Sequence, residues 1–132
     1  MAITIASYVP LPGADFTISG TGDEHTFPLN VPLEHISGTG GWDVLQFRVT
    51  TRNSDNLRFV AEVNPHRPDG VPTEFIQEFT YGPSDTNLTR GFHELLRSVV
   101  DSGNDLRFRI SGGSGAVTIS DIILWYRVSL QL

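Results

Sequence analysis

The sequence predicts an all-β fold, a single jelly-roll β-sandwich with one short helix. Three observations lead to this prediction. Apolar and polar residues alternate along most of the chain. The 13 Gly and 8 Pro supply many turns. Helical spacing is confined to one segment. A chain of 132 residues has the length of one domain, so we expect one β-sandwich over residues 1–132.

The alternation places the strands. It is clearest where Leu45, Phe47 and Val49 alternate with polar residues, which predicts one buried and one solvated face. The same pattern predicts strands over 57–63 and 106–110. The other predicted strands are 2–8, 15–19, 25–30, 33–37, 74–81 and 117–132. Strands at this spacing, separated by Gly- and Pro-rich segments, favour a sandwich or jelly roll over βαβ units.

The last predicted strand changes phase. Val117 and Ile119 share one parity, whereas Ile122, Leu124 and Tyr126 share the other. A slip of one residue turns every later side chain to the opposite face of a sheet. A β-bulge near residues 120–121 would keep both sets on the same face.

One segment has the spacing of a helix. In TRGFHELLRSVVDSG, Phe92, Leu95, Leu96 and Val99 follow the helical period, and Gly103 suits the residue after a helix. The sequence therefore predicts a short helix from about 90 to 100.

The glycine-rich run SGGSG at 111–115 has two interpretations, a phosphate loop or a turn. A phosphate loop needs a helix after it, because the amides of the helix N-terminus bind the phosphate. Here predicted strands flank the run, and no GK[ST] motif follows. The glycines instead predict a hairpin turn with positive φ.

Composition disfavours several classes of function. The net charge is −6, and the nine basic residues, all Arg, are scattered, so we expect no nucleic-acid partner. No apolar run approaches a membrane span, and the first residues lack a signal-peptide pattern. Without Cys, and with no metal-ligand spacing among the four His, we expect no metal or other cofactor.

The sequence also predicts a protein that is not an enzyme. It contains no G-x-S-x-G motif. Carboxylate pairs such as Asp23/Glu24 and Glu74/Glu78 could serve a glycosidase, but 15 acidic residues produce such pairs by chance.

Three features favour binding or assembly. Trp125 and Arg127 lie on the parity opposite to Ile122 and Leu124, so they point outward if the even face is the core; a strand buried on both faces is the alternative. The loop NPHRPDGVP is stiffened by three prolines, and both ends of the chain are apolar. The predicted partner-binding residues are Ile3, Ile5, Tyr8, His66, Arg67, Trp125, Arg127, Leu130 and Leu132.

The run LRFRISGGSGAVTISDIILWYRV resembles the closing hairpin of jelly-roll carbohydrate-binding modules. The resemblance rests on a V-x-I-x-D-I pattern formed here by Val117, Ile119, Asp121 and Ile122. It implies a glycan ligand and aromatic residues that stack on sugar rings. Under this interpretation the sugar-binding residues are Trp42, Trp125 and Tyr126. A structural calcium ion is frequent in such modules, but no dense Asp/Asn loop assigns one here.

The whole chain is also similar to the small jelly-roll cement, or decoration, proteins of tailed bacteriophage capsids. The likeness lies in size, acidity, absence of Cys and apolar termini. It implies a non-enzymatic structural protein of the virion, assembled in the host cytoplasm. Its partners would be the major capsid protein and further copies of itself. This is the first hypothesis from the sequence, and a carbohydrate-binding module or lectin is the alternative.

Overall fold

The computed structural model describes residues 2–11, 15–29, 43–64, 74–96 and 104–131. These residues form an all-β fold with one short 3-10 turn, Pro83–Asp85. Within the part of the chain that the structure describes, no helix has the length and apolar character to cross a membrane. In chain order, the strands are β1 Ala2–Pro10, β2 Phe16–Ser19, β3 Glu24–Leu29, β4 Asp43–Val63, β5 Glu74–Tyr81, β6 Thr89–Leu96 and β7 Asn104–Gln131.

Two long strands, β4 and β7, organise the fold. They pair antiparallel from Val44↔Trp125 to Val63↔Leu106, and every other strand pairs with one of them. Halfway along, around residues 52–58 and 112–116, the register shifts several times. This irregular centre divides the β4–β7 ribbon into two halves, and each half extends into its own layer of the sandwich.

Each layer is antiparallel. In the first layer, β1 and β2 pair with the C-terminal half of β7, and β6 pairs with the N-terminal half of β4. In the second layer, β3 pairs with the N-terminal half of β7, and β5 pairs with the C-terminal half of β4. The predicted jelly-roll sandwich is therefore confirmed as a fold class.

The core lies between the two layers. Phe47 of the first layer contacts Phe108 of the second with ring centroids 5.4 Å apart, and Phe92 contacts Phe79 at 4.3 Å. Each fully buried Phe stabilises the fold by about 1.5–3 kcal/mol. The alternation that predicted β4 is confirmed, because Leu45, Phe47 and Val49 are all buried.

The glycine-rich run does not form the predicted hairpin turn. Strand β7 continues through residues 111–115 and stays paired with β4 on both sides of them. Positive φ is found at Gly113 and Gly115, as predicted, but the chain bends there without reversing. A Cβ on Gly113 would lie 2.0 Å from the carbonyl oxygen of Asn56. The glycine therefore allows the two backbones to approach closely at the bend.

The predicted helix at 90–100 is wrong for the residues described, because residues 89–96 form strand β6. The strand pairs with β4 from Thr50↔Thr89 to Asp43↔Leu96. Phe92 and Leu96 are four residues apart, and such a pair shares one face of either a helix or a strand. The spacing was therefore ambiguous, and pairing with β4 decides for the strand. Residues 97–100 lie outside the described ranges.

The predicted bulge in β7 is confirmed. Gln46 pairs with Ile123 and Arg48 with Ser120, so two steps along β4 match three along β7. Asp121 takes a positive φ of 53° at the extra residue. The bulge leaves Ile119, Ile122 and Leu124 all buried on the inner face.

The two termini pair with each other. Strand β1 runs antiparallel to the end of β7, from Ala2↔Gln131 to Pro10↔Ile123, which places the backbone of Ile3, Ile5 and Leu130. The strands predicted at 2–8 and 117–132 therefore pair with each other within the chain. The predicted strand at 33–37 lies outside the described residues.

Candidate functional site

The candidate site is the outer face of the first layer. Because Ile122, Leu124 and Tyr126 point inward, Ile123 and Trp125 of β7 point outward. Residues directly opposite each other on antiparallel strands share a face. Cross-strand register therefore places three rows on this outer face: Tyr8–Trp125–Val44, Pro10–Ile123–Gln46–His93, and Ser120–Arg48–Gly91.

An aromatic pair lies in the first row. Tyr8 and Trp125 are cross-strand neighbours whose ring centroids are 5.0 Å apart, with an angle of 42° between the ring planes. Tyr8 is 58% exposed, whereas Trp125 is partly buried. Such pairs are worth about 0.5–1.5 kcal/mol beyond the area they bury. The pair presents an aromatic surface to solvent in a fixed arrangement.

Gln46 links Trp125 to strand β6. Its Oε1 accepts a hydrogen bond from Trp125 Nε1 at 3.1 Å and lies 3.1 Å from His93 Nε2. An amide oxygen has two lone pairs, so it can accept from both rings when the His93 proton is on Nε2. These contacts fix the indole orientation. They also leave the amide N–H groups of Gln46 as donors at the surface.

A pocket of about 360 Å³ lies beside the bulge of β7, and one of its lining residues is Gln46, the hydrogen-bond partner of Trp125. The bulge brings Asp121 to the rim, where its Oδ2 lies 3.5 Å from Arg48 Nη1. The backbone N–H of Asp121 donates to Asp15 Oδ1 at 3.3 Å. The residues that line the pocket are Pro10, Leu11, Asp15, Gln46, Arg48, Asp121, Ile122 and Ile123.

Among the described residues, a buried charged cluster outside this face serves the stability of the fold. On the second layer, the buried Glu62 accepts hydrogen bonds from Arg107 and Arg109. Burial alone would raise the pKa of Glu62, but the hydrogen bonds and positive charges of the two arginines outweigh burial and hold the pKa below its usual value. The carboxylate stays ionised and ties β4 to β7.

Among the residues that the structure describes, Tyr81 also has a shifted pKa. Burial raises the pKa of its hydroxyl to about 12, so the group stays protonated at neutral pH. Within the described ranges, no three His, Asp or Glu side chains are grouped closely enough to hold a metal ion.

The structure brings together only some of the residues predicted from the sequence. Tyr8 and Trp125 are in contact. Arg127 lies two residues after Trp125 on β7, on the same outer face, and is partly buried. Tyr126 lies on the inner face and is 6% exposed, so its ring is not available to stack on a sugar as the sequence had suggested. Trp42, His66, Arg67 and Leu132 lie outside the described residues.

Sequence reasoning missed the polar part of the site. Gln46 and Arg48 lie on β4 and His93 lies on β6, and no sequence motif connects the three residues. Tyr8 was predicted as a contact of the terminal strand, not as the neighbour of Trp125. Of the polar residues at the site, only Asp121 can be singled out from the sequence, because it lies at the predicted β-bulge.

Comparison with known sequences gives no match: no protein-family model matches the chain, and neither does any curated protein. Solved structures do share its fold. The C-terminal family 22 carbohydrate-binding module of Clostridium thermocellum Xyn10B aligns with a TM-score of 0.57 and 11% identity. That alignment covers 95% of this chain and 84% of the module.

Two further structures resemble the chain. The CBM36-1 domain of a multidomain xylanase, from the hindgut metagenome of Trinervitermes trinervoides, aligns with a TM-score of 0.55 and 11% identity over 92% of this chain and 96% of that domain. The structure of infectious bursal disease virus Gx strain aligns with a TM-score of 0.57 and 13% identity, over 96% of this chain and 35% of the viral chain. At these identities the likeness shows the jelly-roll fold alone.

Proposed function

We propose that this chain is a non-catalytic carbohydrate-binding module, with its site on the outer face of the first layer. The observation that carries the proposal is the contact between Tyr8 and Trp125 on that face, with Trp125 fixed by Gln46. Aromatic rings present a flat apolar surface, which suits the C–H face of a pyranose ring. The surrounding donors and acceptors suit its hydroxyl groups.

Pre-organisation supports this function. A stacking residue that is already held in place loses little conformational freedom when a ligand binds. Trp125 has this support from its cross-strand neighbour Tyr8 and from the Gln46 hydrogen bond. Carbohydrate-binding modules among the structural neighbours agree with the proposal at the level of fold.

The binding test uses a panel of soluble polysaccharides and their oligosaccharides. The first is xylan, because one of the similar modules belongs to a xylanase; β-glucan and mannan follow. Binding is measured by affinity electrophoresis and calorimetry on the wild type and on Tyr8→Ala and Trp125→Ala. We expect one glycan series to bind, and each substitution to weaken binding at least about tenfold by removing stacking surface.

Leu88→Ala is the matched control. Among the described residues, Tyr8 and Leu88 are the exposed large hydrophobic side chains, and Leu88 directly precedes β6, outside the proposed face. We expect Leu88→Ala to bind as the wild type does. A wild-type chain that binds no glycan of the panel would refute the proposal, as would binding that both Tyr8→Ala and Trp125→Ala leave unchanged.

A virion structural role is the second candidate, with the major capsid protein and further copies of this chain as partners. It is favoured by the position of β1 at the end of the strand order, where its outer edge could pair with a neighbouring subunit. The pairing of β1 with β7 weakens the argument that the termini need a partner. Co-sedimentation with capsid shells that soluble glycans do not release would favour this role.

A further inference from the structure

We propose that the pocket beside the β7 bulge is a second sugar subsite, continuous with the Tyr8–Trp125 pair. The face would then take a neutral oligosaccharide of two or more rings in preference to a monosaccharide. This inference rests on the proposed function and specifies its ligand class. It is carried by the position of the pocket, the chemistry of its rim and its charge.

The two subsites lie side by side along the same strands. Ile123 lines the pocket and lies two residues before Trp125 on β7, and Pro10 lines it two residues after Tyr8 on β1. Two residues of a strand span about 7 Å, which is of the order of one pyranose ring. A sugar ring stacked on the aromatic pair therefore places its neighbour over the pocket.

Gln46 belongs to both subsites. Its Oε1 holds the Trp125 indole, while the side chain also lines the pocket. Its amide N–H groups can donate to a hydroxyl of the ligand near the junction between the two rings. A ligand that spans both subsites gains this contact without further ordering of the protein.

The rim of the pocket offers both donors and acceptors. Arg48 has only donors, whereas Asp121 and Asp15 carry acceptor oxygens. Two neighbouring hydroxyl groups of a sugar both donate and accept, so the 3.5 Å pair of Arg48 and Asp121 can bond to both. The two side chains are 61% and 57% exposed, and an ion pair so exposed contributes little by itself. Its rearrangement around a ligand therefore costs little.

Charge favours a neutral ligand. The pocket contains one cation, Arg48, and two carboxylates, Asp15 and Asp121, which gives a net charge of −1 from +1 and −2. The whole chain carries −6. A uronate or sulfated sugar would meet repulsion in this pocket, whereas a neutral sugar would not.

The test compares the mono- and tetrasaccharide of the series found with the panel, in the first instance xylose and xylotetraose. Calorimetry on the wild type should give at least about tenfold tighter binding of the tetrasaccharide. Arg48→Ala should remove most of this gain. Trp125→Ala should weaken both ligands. The matched control is Arg90→Ala, which removes a surface Arg–Asp pair outside the face, Arg90–Asp85 at 3.0 Å.

The outcomes separate this inference from the proposed function. If Arg48→Ala binds the tetrasaccharide like the wild type while Trp125→Ala loses it, the second subsite is wrong and the glycan function stands. Tighter binding of a uronate oligosaccharide than of a neutral one of equal length would overturn the ligand class. A wild-type chain that binds no glycan refutes both proposals.

Discussion

At the scale of single residues, the proposed site depends on side chains that fix one another. The ring of Trp125 is held at the surface because its Nε1–H donates to Gln46 Oε1 and the ring contacts that of Tyr8. A buried indole N–H without an acceptor would cost about 1–3 kcal/mol. Gln46 is therefore a positioning residue for the aromatic surface. Side chains also fix one another at Glu62, where Arg107 and Arg109 keep a buried carboxylate ionised.

The lowered pKa of Glu62 makes the stability of the fold depend on pH. Its pKa is lower in the folded protein than the ordinary value of 4.5, so its contribution is fully present above about that pH. The contribution is lost as the pH falls through the lower folded value. Glu62→Gln removes the buried carboxylate that both Arg107 and Arg109 contact, and it leaves Arg107 the longer, 3.9 Å contact with Glu24. We expect it to lower the free energy of unfolding by roughly 1–3 kcal/mol at neutral pH.

Urea unfolding from neutral pH to about pH 3 tests this expectation. The difference between the wild type and Glu62→Gln should narrow below about pH 4.5, where the unfolded chain takes up a proton at Glu62 that the folded chain binds only at lower pH. Glu78→Gln is the control, since Glu78 is an exposed carboxylate on a neighbouring strand. A difference that stays constant over the whole pH range would contradict this role of Glu62.

At the scale of elements, the bend in the β4–β7 ribbon joins the two layers. It depends on Gly113, which has a φ of 74° and lies against the backbone of Asn56. Neighbouring Gly112 has an ordinary φ, and a Cβ there would lie 3.6 Å from Arg58 Nε, a normal contact distance. The two glycines therefore have different roles although they are adjacent in the sequence.

Alanine substitution distinguishes these roles. Gly113→Ala should lower the free energy of unfolding by at least about 3 kcal/mol, because its Cβ would overlap backbone atoms in a strained conformation. Gly112→Ala should change it by less than about 1 kcal/mol. Chemical denaturation of both variants measures the effect. Equal stability of the two variants would show that the bend does not need Gly113.

The same elements show where sequence reasoning succeeded and failed. The bulge at Asp121 was predictable, because a change in parity is a local signal. The sequence at 111–115 predicts a hairpin turn where the structure has a bend, because glycines with positive φ occur in both. The sequence at 89–96 predicts a helix where the structure has a strand, because Phe92 and Leu96 fit the period of either element. Pairing with β4 makes residues 89–96 a strand, and this long-range pairing cannot be deduced from the local sequence pattern.

At the scale of the whole molecule, the fold class was predictable but the site was not. Alternation of apolar residues along a strand determines which face is buried, and this suffices for a sandwich. The site joins Tyr8, Gln46, His93 and Trp125, which are far apart in the sequence. Only the register of β1, β4, β6 and β7 brings them together. Such a surface can be identified only when the pairing of the strands is known.

The most direct test of the central claim follows the indole N–H of Trp125 by nuclear magnetic resonance. The chain has 2 Trp, so two indole signals are expected, and Trp125→Phe assigns them. Titration with xylotetraose, or with the tetrasaccharide of the series that binds, should shift the Trp125 signal with the same saturation curve as calorimetry. A bound and saturating glycan that leaves the Trp125 signal in place would contradict the account.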